Sequence, residues 1–224
     1  MELVKLQRQR AVDAVYQALR EGILGHLFKP GERLHVDLLS QKLGVSLTPV
    51  RNAIQQLSTE GLVEIHPRSG TFVANLSAQD IQETFEIRCA LECLAAEKTA
   101  ELIEPAELAR LRELLVSLSK PISTVDARKA HEKDNSEFHR ILIRGSRNKR
   151  LEEIYESLNA HLKIARIHRS EENWESRLAA EQAEHEQIVA ALEARDVKAL
   201  VATLRKHIYR AKDALVASLR LAEE

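Results

Sequence analysis

Hydrophobic residues in the first 60 positions recur every three or four residues in three segments, the spacing of one buried helix face. The first segment stops before a Lys29-Pro30-Gly31 turn, which predicts a helix ending in the mid-twenties. The other two segments are short and are closed by Gly44 and Gly61. The inward positions are Val12, Val15, Tyr16, Leu19 and Ile23, then Leu38, Leu39 and Leu43, then Val50, Ala53, Ile54 and Leu57.

After Gly61 the pattern changes to two short runs, LVEIH and TFVAN, which flank a turn at residues 67–70. Such runs predict a β-hairpin. A helix, a tight glycine turn, a second helix and a hairpin form the order of a winged helix-turn-helix, in which the second helix enters the DNA major groove. A small α+β domain without a ligand can have the same order of elements. Only the side chains can distinguish a DNA-binding domain from such a domain.

From residue 76 onward the pattern is helical throughout. Ser77 with Asp80 predicts a capping box, Pro105 marks a helix start, and Pro121 and Gly145 end helices. The predicted helices lie near 77–103, 105–119, 124–144, 148–169, 174–194 and 196–221. Because aromatic residues are only 4% of the chain, aliphatic side chains must fill the core, which favours an antiparallel all-α bundle.

The fold class is therefore mainly α, with an N-terminal winged helix-turn-helix at residues 1–75 and a C-terminal bundle at residues 76–224. Six of the seven glycines lie within the first 70 residues, which supports this boundary. Residues 1–75 carry nine Lys and Arg against seven Asp and Glu, so this half is mildly basic although the whole chain has a net charge of −1.

Composition narrows the class of protein further. The chain has no apolar run long enough for a membrane helix, and MELVKLQRQR lacks the apolar core of a secretory signal, so we expect a cytoplasmic protein. The two cysteines, Cys89 and Cys93, exclude a disulfide framework and a multi-cysteine zinc site. Reduced thiols in the core are the favoured interpretation for this pair, and a redox switch is the alternative.

The start of the third helix carries side chains suited to DNA. The hydroxyls of Ser46 and Thr48 stand at a helix N-terminus, where free backbone N–H groups can meet phosphate. Pro49 suits the first turn, and Arg51 lies away from the face predicted to be buried.

At this level of detail the sequence resembles a known family. PGERL, GVSLTPVRNAIQQL, EGLV and PRSGTFV resemble the DNA-binding domain of the GntR family of bacterial transcription regulators over most of residues 8–75. FEIRCALE, NSEFH, EHEQIVAAL and a late His207 resemble, in the same order, the FCD ligand-sensing domain of the FadR-type subfamily. Six predicted helices indicate its VanR-like branch.

The resemblance implies a homodimeric regulator, acting as a repressor, that binds a palindromic operator in double-stranded DNA. It adds the wing residues Arg68 and Gly70 to the expected DNA contacts of Ser46, Thr48, Pro49 and Arg51. Many relatives have arginine where this chain has Leu47, and some have arginine at the position of Asp37. Because leucine cannot form a bidentate contact with guanine, we expect a different operator.

Three histidines lie in the middle of hydrophobic stripes on different predicted helices: His139, His185 and His207. A single such histidine is more often a core residue, but three together favour a site for zinc, nickel or a similar divalent ion. The resemblance implies that an aspartate four residues before His139 completes this set, and here that position is Asn135. The other histidines, His131, His161 and His168, are expected in supporting or surface positions.

Arg88 has two interpretations that the sequence leaves open. It could form an ordinary pair with Glu92 on a helix face, or, as the resemblance implies, it could face a pocket for a small carboxylate effector. The run RKAHEKD at 128–134 is expected to be a solvated helix start.

The main functional hypothesis is a regulator whose bundle senses a small organic acid at a divalent metal. A metal-dependent enzyme using the histidine cluster is one alternative, but no HExxH or nucleophile motif supports it. A regulator with a purely structural metal is the other. The protein is therefore not expected to be an enzyme.

Overall fold

The computed structural model describes residues 8–25, 27–75, 77–167 and 174–223. His168 and the side chain of His161 lie outside the described part. Two compact units are present, the first including residues 8–80 and the second including residues 81–158 and 174–223.

The first unit contains three helices followed by a two-stranded antiparallel hairpin, as the sequence predicts. Gly44 joins the second and third helices with φ 65°, a left-handed conformation that glycine adopts without steric cost. The elements are α1 (Arg8–Leu24), α2 (Val36–Leu43), α3 (Leu47–Thr59), β1 (Val63–His66) and β2 (Gly70–Val73).

The core of this unit forms where α3 packs against α1. The inward residues of α3 are the four predicted, and α1 contributes Val15, Leu19 and Ile23, all nearly inaccessible to solvent. On α2 only Leu39 of the predicted residues is buried, whereas Leu38 and Leu43 are 46% and 37% exposed, so that part of the prediction is wrong. The hairpin pairs Val63 with Val73 and buries both. Burial of these aliphatic faces holds α3 in place and leaves its opposite side in solvent.

The second unit is made of helices throughout its described residues. Their ends agree with the predicted ends to within two residues, because capping and breaking residues mark them in the sequence. Ser77 and Asp80 form the predicted reciprocal capping bonds, and Asp196 accepts from the backbone of Ala199. The helices are α4 (Ala78–Leu102), α5 (Pro105–Leu118), α6 (Val125–Gly145), α7 (Lys149–Ile167), α8 (Trp174–Glu193) and α9 (Val197–Glu223).

An aliphatic core, with Phe138 at its centre, fills one part of the bundle between α4, α5, α6, α8 and α9. Beside it lies a layer of buried polar side chains. The ring of Phe138 packs against that of His185, with centroids 4.4 Å apart, and so joins the two regions. Among the described residues, no helix is both long and apolar enough to cross a membrane.

Candidate metal centre and DNA-binding surface

The structure brings three histidines from three helices together inside the bundle. His139 of α6, His185 of α8 and His207 of α9 are each at most 2% exposed. Each can direct one ring nitrogen so that the three nitrogens lie within 4.8 Å of one another. The hydrophobic stripes around these residues face the common core, and this is why the rings converge.

Two buried carboxylates fix the orientation of two of these rings. His139 Nδ1 lies 2.7 Å from Glu92 Oε2, and His207 Nδ1 lies 2.9 Å from Glu184 Oε2. An ionised carboxylate only accepts hydrogen bonds, so each Nδ1 must carry the proton and donate it. In a neutral ring held this way Nε2 is a lone pair, which is the arrangement that carboxylate partners commonly impose on metal-binding histidines.

The two Nε2 atoms face each other. His139 Nε2 and His207 Nε2 are 3.3 Å apart, so either a proton in a hydrogen bond or a metal ion must lie between them. Two imidazole nitrogens bound at about 2.0–2.1 Å to one tetrahedral zinc ion would be separated by about 3.3–3.4 Å. The spacing therefore fits a shared divalent ion.

His185 supports the same interpretation. Neither of its ring nitrogens has a hydrogen-bond partner among the described residues, although both are buried. Leaving such a group unsatisfied costs about 1–3 kcal/mol. Burial is the main cause that lowers the pKa of His185 and of His207 well below the usual value, and repulsion between neighbouring rings, if protonated, lowers both further. Both rings are therefore neutral at pH 7, the form that binds metals.

Arg88 and Glu92 are not an ordinary surface pair. Arg88 is 2% exposed and Glu92 is 0% exposed, and Arg88 Nε donates to Glu92 Oε1 over 2.6 Å. Burial alone would raise the pKa of Glu92, but Arg88 and His139 lower it well below its usual range. Tyr155 Oη donates to the same carboxylate over 3.1 Å. The pair with Glu92 that the sequence suggests for Arg88 is therefore present, but it is buried and not on an exposed helix face.

Two polar atoms beside the histidines lack partners among the described residues. One is Asn135 Oδ1, on α6 one turn before His139, and the other is Arg88 Nη2. The first is an acceptor that could bind a cation, and the second is a donor that could bind an anion. Both atoms are buried, so a bound group would satisfy them.

His131 is buried, which excludes the surface position considered for it. It is 6% exposed and lies 3.7 Å from Glu181 of α8. The run at 128–134 is therefore not fully solvated, since the ring of His131 turns inward while Asp134 accepts from Ser117. The inward turn follows from helix geometry, because His131 lies two turns before His139 on the same face.

The two cysteines form a buried pair of thiols. Their sulfur atoms are 3.9 Å apart, and both residues are free and buried. Burial and the neighbouring Cys89 raise the pKa of Cys93 to about 12, so its thiol is not a reactive thiolate at neutral pH.

In the first unit, the candidate DNA-binding residues lie at the surface. Ser46 is the N-cap residue of α3, and its side chain makes no capping bond, which leaves the hydroxyl available. Thr48 and Arg51 are exposed on α3, whereas Pro49 is half-buried. Arg68, in the turn of the hairpin, is exposed and has φ 68°.

Gly70 is the first residue of β2, and its backbone lies close to the side chain of Arg33. Its φ is 124°, and a Cβ atom at this position would lie 2.9 Å from Arg33 Nε. Arg33 also forms an isolated bridge to Phe72. Glycine is therefore favoured by the backbone conformation at this point of the wing, while the flexible end of Arg33 could move aside for a side chain.

Comparisons with known proteins agree with these two units. Residues 11–73 match the model for bacterial regulatory proteins of the gntR family, and residues 83–210 match the FCD domain. The uncharacterised HTH-type transcriptional regulator YdhC of Bacillus subtilis is 32% identical over 152 residues, which are 68% of each chain. The chain belongs to the GntR family, with an FCD domain.

Two other comparisons place this GntR-family regulator among its relatives. The HTH-type transcriptional repressor RspR of Escherichia coli is 30% identical over 128 residues, 57% of this chain and 56% of the relative. The solved structure of E. coli McbR/YncC has a TM-score of 0.78 at 24% identity, covering 97% of this chain and all of that one. The protein is thus a DNA-binding transcription regulator and not an enzyme.

The sequence alone did not predict that two acidic residues bind the buried histidines of this regulator. Glu92 was considered only as the partner of Arg88, and Glu184 was not considered at all, although each holds a histidine of another helix. Glu184 is also bound by Arg210 Nε through both carboxylate oxygens, at 2.9 and 2.8 Å. The one available signal was an acidic residue directly before His185 in an otherwise hydrophobic stripe.

Replacing Glu184 with glutamine is expected to weaken zinc binding about 10- to 100-fold, because His207 loses the charged acceptor that sets its tautomer and raises its basicity. Competition with a chromophoric chelator measures the affinity. Glu186→Gln is the matched control, since Glu186 is exposed two residues further along α8. Equal affinities in the two variants would show that Glu184 has no part in the site.

Proposed function

We propose that this protein is a homodimeric repressor that binds a palindromic operator and senses a small organic acid at a divalent metal. Residues 1–75 would bind DNA, and residues 76–224 would bind the effector and dimerise. The observation that carries the proposal is the pair of Nε2 atoms of His139 and His207, 3.3 Å apart with both Nδ1 atoms held by carboxylates. As a regulator of bacterial transcription, it would act in the cytoplasm.

The metal ligands in this proposal are His139, His185 and His207, with Asn135 supplying its buried carbonyl oxygen. Zinc or nickel suits an imidazole-rich site of this kind. When bound, the ion would act as a Lewis acid that accepts an effector oxygen. Asn135 brings no charge, and Glu92 and Glu184 are themselves paired with arginines, so these acids act by orienting and polarising the two histidines that they hold.

Arg88 is the proposed anchor for the effector. Its Nε donates to Glu92, while its buried Nη2 has no partner among the described residues. A carboxylate that accepts from Nη2 and binds the metal would satisfy the guanidinium without moving it. This requirement favours a small acid, because the anion must reach both groups inside the bundle.

The proposed DNA contacts are Ser46, Thr48, Pro49, Arg51, Arg68 and Gly70, which belong to the start of α3 and to the wing. The name of the relative RspR, a transcriptional repressor, supports repression as the mode of action. In this mode the effector would shift the population between a conformation that binds the operator and one that does not.

The proposed dimer agrees with an exposed hydrophobic surface in the second unit. Ile87 and Leu94 of α4 are 50% and 53% exposed, and Ile154 of α7 is 52% exposed. A second copy covering them would remove this apolar area from water. Analytical ultracentrifugation is expected to give twice the chain mass of 25.3 kDa, and Leu94→Glu would shift the equilibrium towards the monomer.

Replacing Arg51 with alanine is expected to weaken operator binding by about 1–3 kcal/mol, because an exposed guanidinium on α3 is lost. Fluorescence anisotropy with a labelled operator measures the affinity. Arg150→Ala is the control, since Arg150 is an exposed arginine of the second unit with a side chain 88% accessible. Unchanged affinity in Arg51→Ala would remove α3 from the DNA interface.

A further inference from the structure

The exposed side of α3 carries a straight row of three polar residues. Only the first of them, Thr48, is among the DNA contacts proposed above. Thr48, Asn52 and Gln55 are spaced four and three residues apart, and all are exposed. At about 100° per residue they lie directly opposite the buried face formed by the aliphatic residues of α3. When such a helix lies in the major groove of DNA, this side faces the base edges at the floor of the groove.

The chemistry of the row is neutral and amide-rich. Asn52 and Gln55 each offer one carbonyl acceptor and one NH₂ donor, and neither side chain has a hydrogen bond to another described residue. Asp13 of α1 lies along the same groove as these two amides. Amides can contact either phosphate or bases, but the carboxylate of Asp13 repels phosphate, so base edges are the better partner for Asn52 and Gln55.

We propose that Asn52 and Gln55 read adenine in A·T pairs of the operator. The amide of either residue can accept from adenine N6 and donate to N7, a bidentate pattern that distinguishes adenine from the other bases in the major groove. Leu47 cannot make a bidentate contact with guanine. We therefore expect Asn52 and Gln55, which lie further along the helix, to make the contacts that distinguish bases. The inference rests on the proposed entry of α3 into the major groove.

The test is selection of operators from a random duplex library by the full-length, zinc-loaded protein and by its variants. The wild type is expected to enrich inverted repeats that hold A·T pairs at fixed positions. In Asn52→Ala and Gln55→Ala the preference for adenine should fall about 5- to 150-fold, each at one position. The salt dependence of binding should not change, because no phosphate contact is lost.

Two further variants sharpen the test. In Gln55→Arg the preferred base at that position should change from adenine to guanine, since arginine pairs with guanine O6 and N7. Gln17→Ala is the control, because Gln17 is an exposed glutamine of α1 that does not line the groove of Asn52 and Gln55, and it should leave every preference unchanged. Circular dichroism confirms folding of each variant.

The possible failures are distinguishable. If the wild type enriches an operator and Asn52→Ala and Gln55→Ala select the same bases, the adenine assignment is wrong while DNA binding by the protein stands. Uniform weakening with a shallower salt dependence would assign the amides to phosphate and also overturn the inference. If the wild type enriches no sequence at all, the proposed operator binding itself fails.

Discussion

Replacing His139 and His185 together with alanine is expected to abolish stoichiometric binding of a divalent metal. Two of the three converging imidazoles are then lost, and His207 alone cannot hold the ion within the bundle. Elemental analysis of tag-free protein, dialysed without chelator, is expected to find about one ion per chain in the wild type and none in the variant. The His66→Ala variant is the control, because His66 lies in the wing and its side chain is 52% exposed.

The same protein samples can be used to test effector binding separately from metal binding. Small carboxylates should raise the melting temperature of the metal-loaded wild type, since a ligand that binds the folded state stabilises it by mass action. The stabilisation should disappear with chelator and in the double variant. If the wild type itself holds no metal, the metal proposal is wrong, and the buried histidines with Arg88 would have to bind an effector directly.

Replacing Arg88 with methionine is expected to lower the free energy of unfolding by about 3–5 kcal/mol, because the buried carboxylate of Glu92 loses its cation. Urea denaturation followed by circular dichroism measures the change. Tyr155 and His139 would still donate to Glu92, but the guanidinium that pairs with it at 2.6 Å would be gone.

Two further variants distinguish the loss of charge from the loss of packing. Adding Glu92→Gln to Arg88→Met should recover part of the lost stability, because the uncompensated charge is then removed as well. Arg150→Met breaks an exposed pair with Glu153 and should cost less than about 1 kcal/mol. Equal effects of Arg88→Met and Arg150→Met would contradict the buried ion pair.

Much of the fold follows from local patterns in the sequence. The spacing of hydrophobic residues and the capping residues determined the order of helices, the hairpin and the ends of the elements. The same spacing assigned Val50 and Ile54 to the buried face of α3 and His139 to the inward face of α6. These properties depend on contacts within a few residues, and so they can be predicted from one chain.

The sequence therefore determined which faces are buried and which residue types they carry, whereas only the tertiary structure decided which side chains meet. Glu92 and Glu184 hold histidines that are 47 and 23 residues away, because the helices that carry them pack side by side. Periodicity cannot specify that packing, since one face of a helix can meet several neighbours. A charge buried away from water is costly unless it is paired, so the two carboxylates bind neighbouring groups. Their hydrogen bonds to His139 and His207 orient these two rings towards a shared centre.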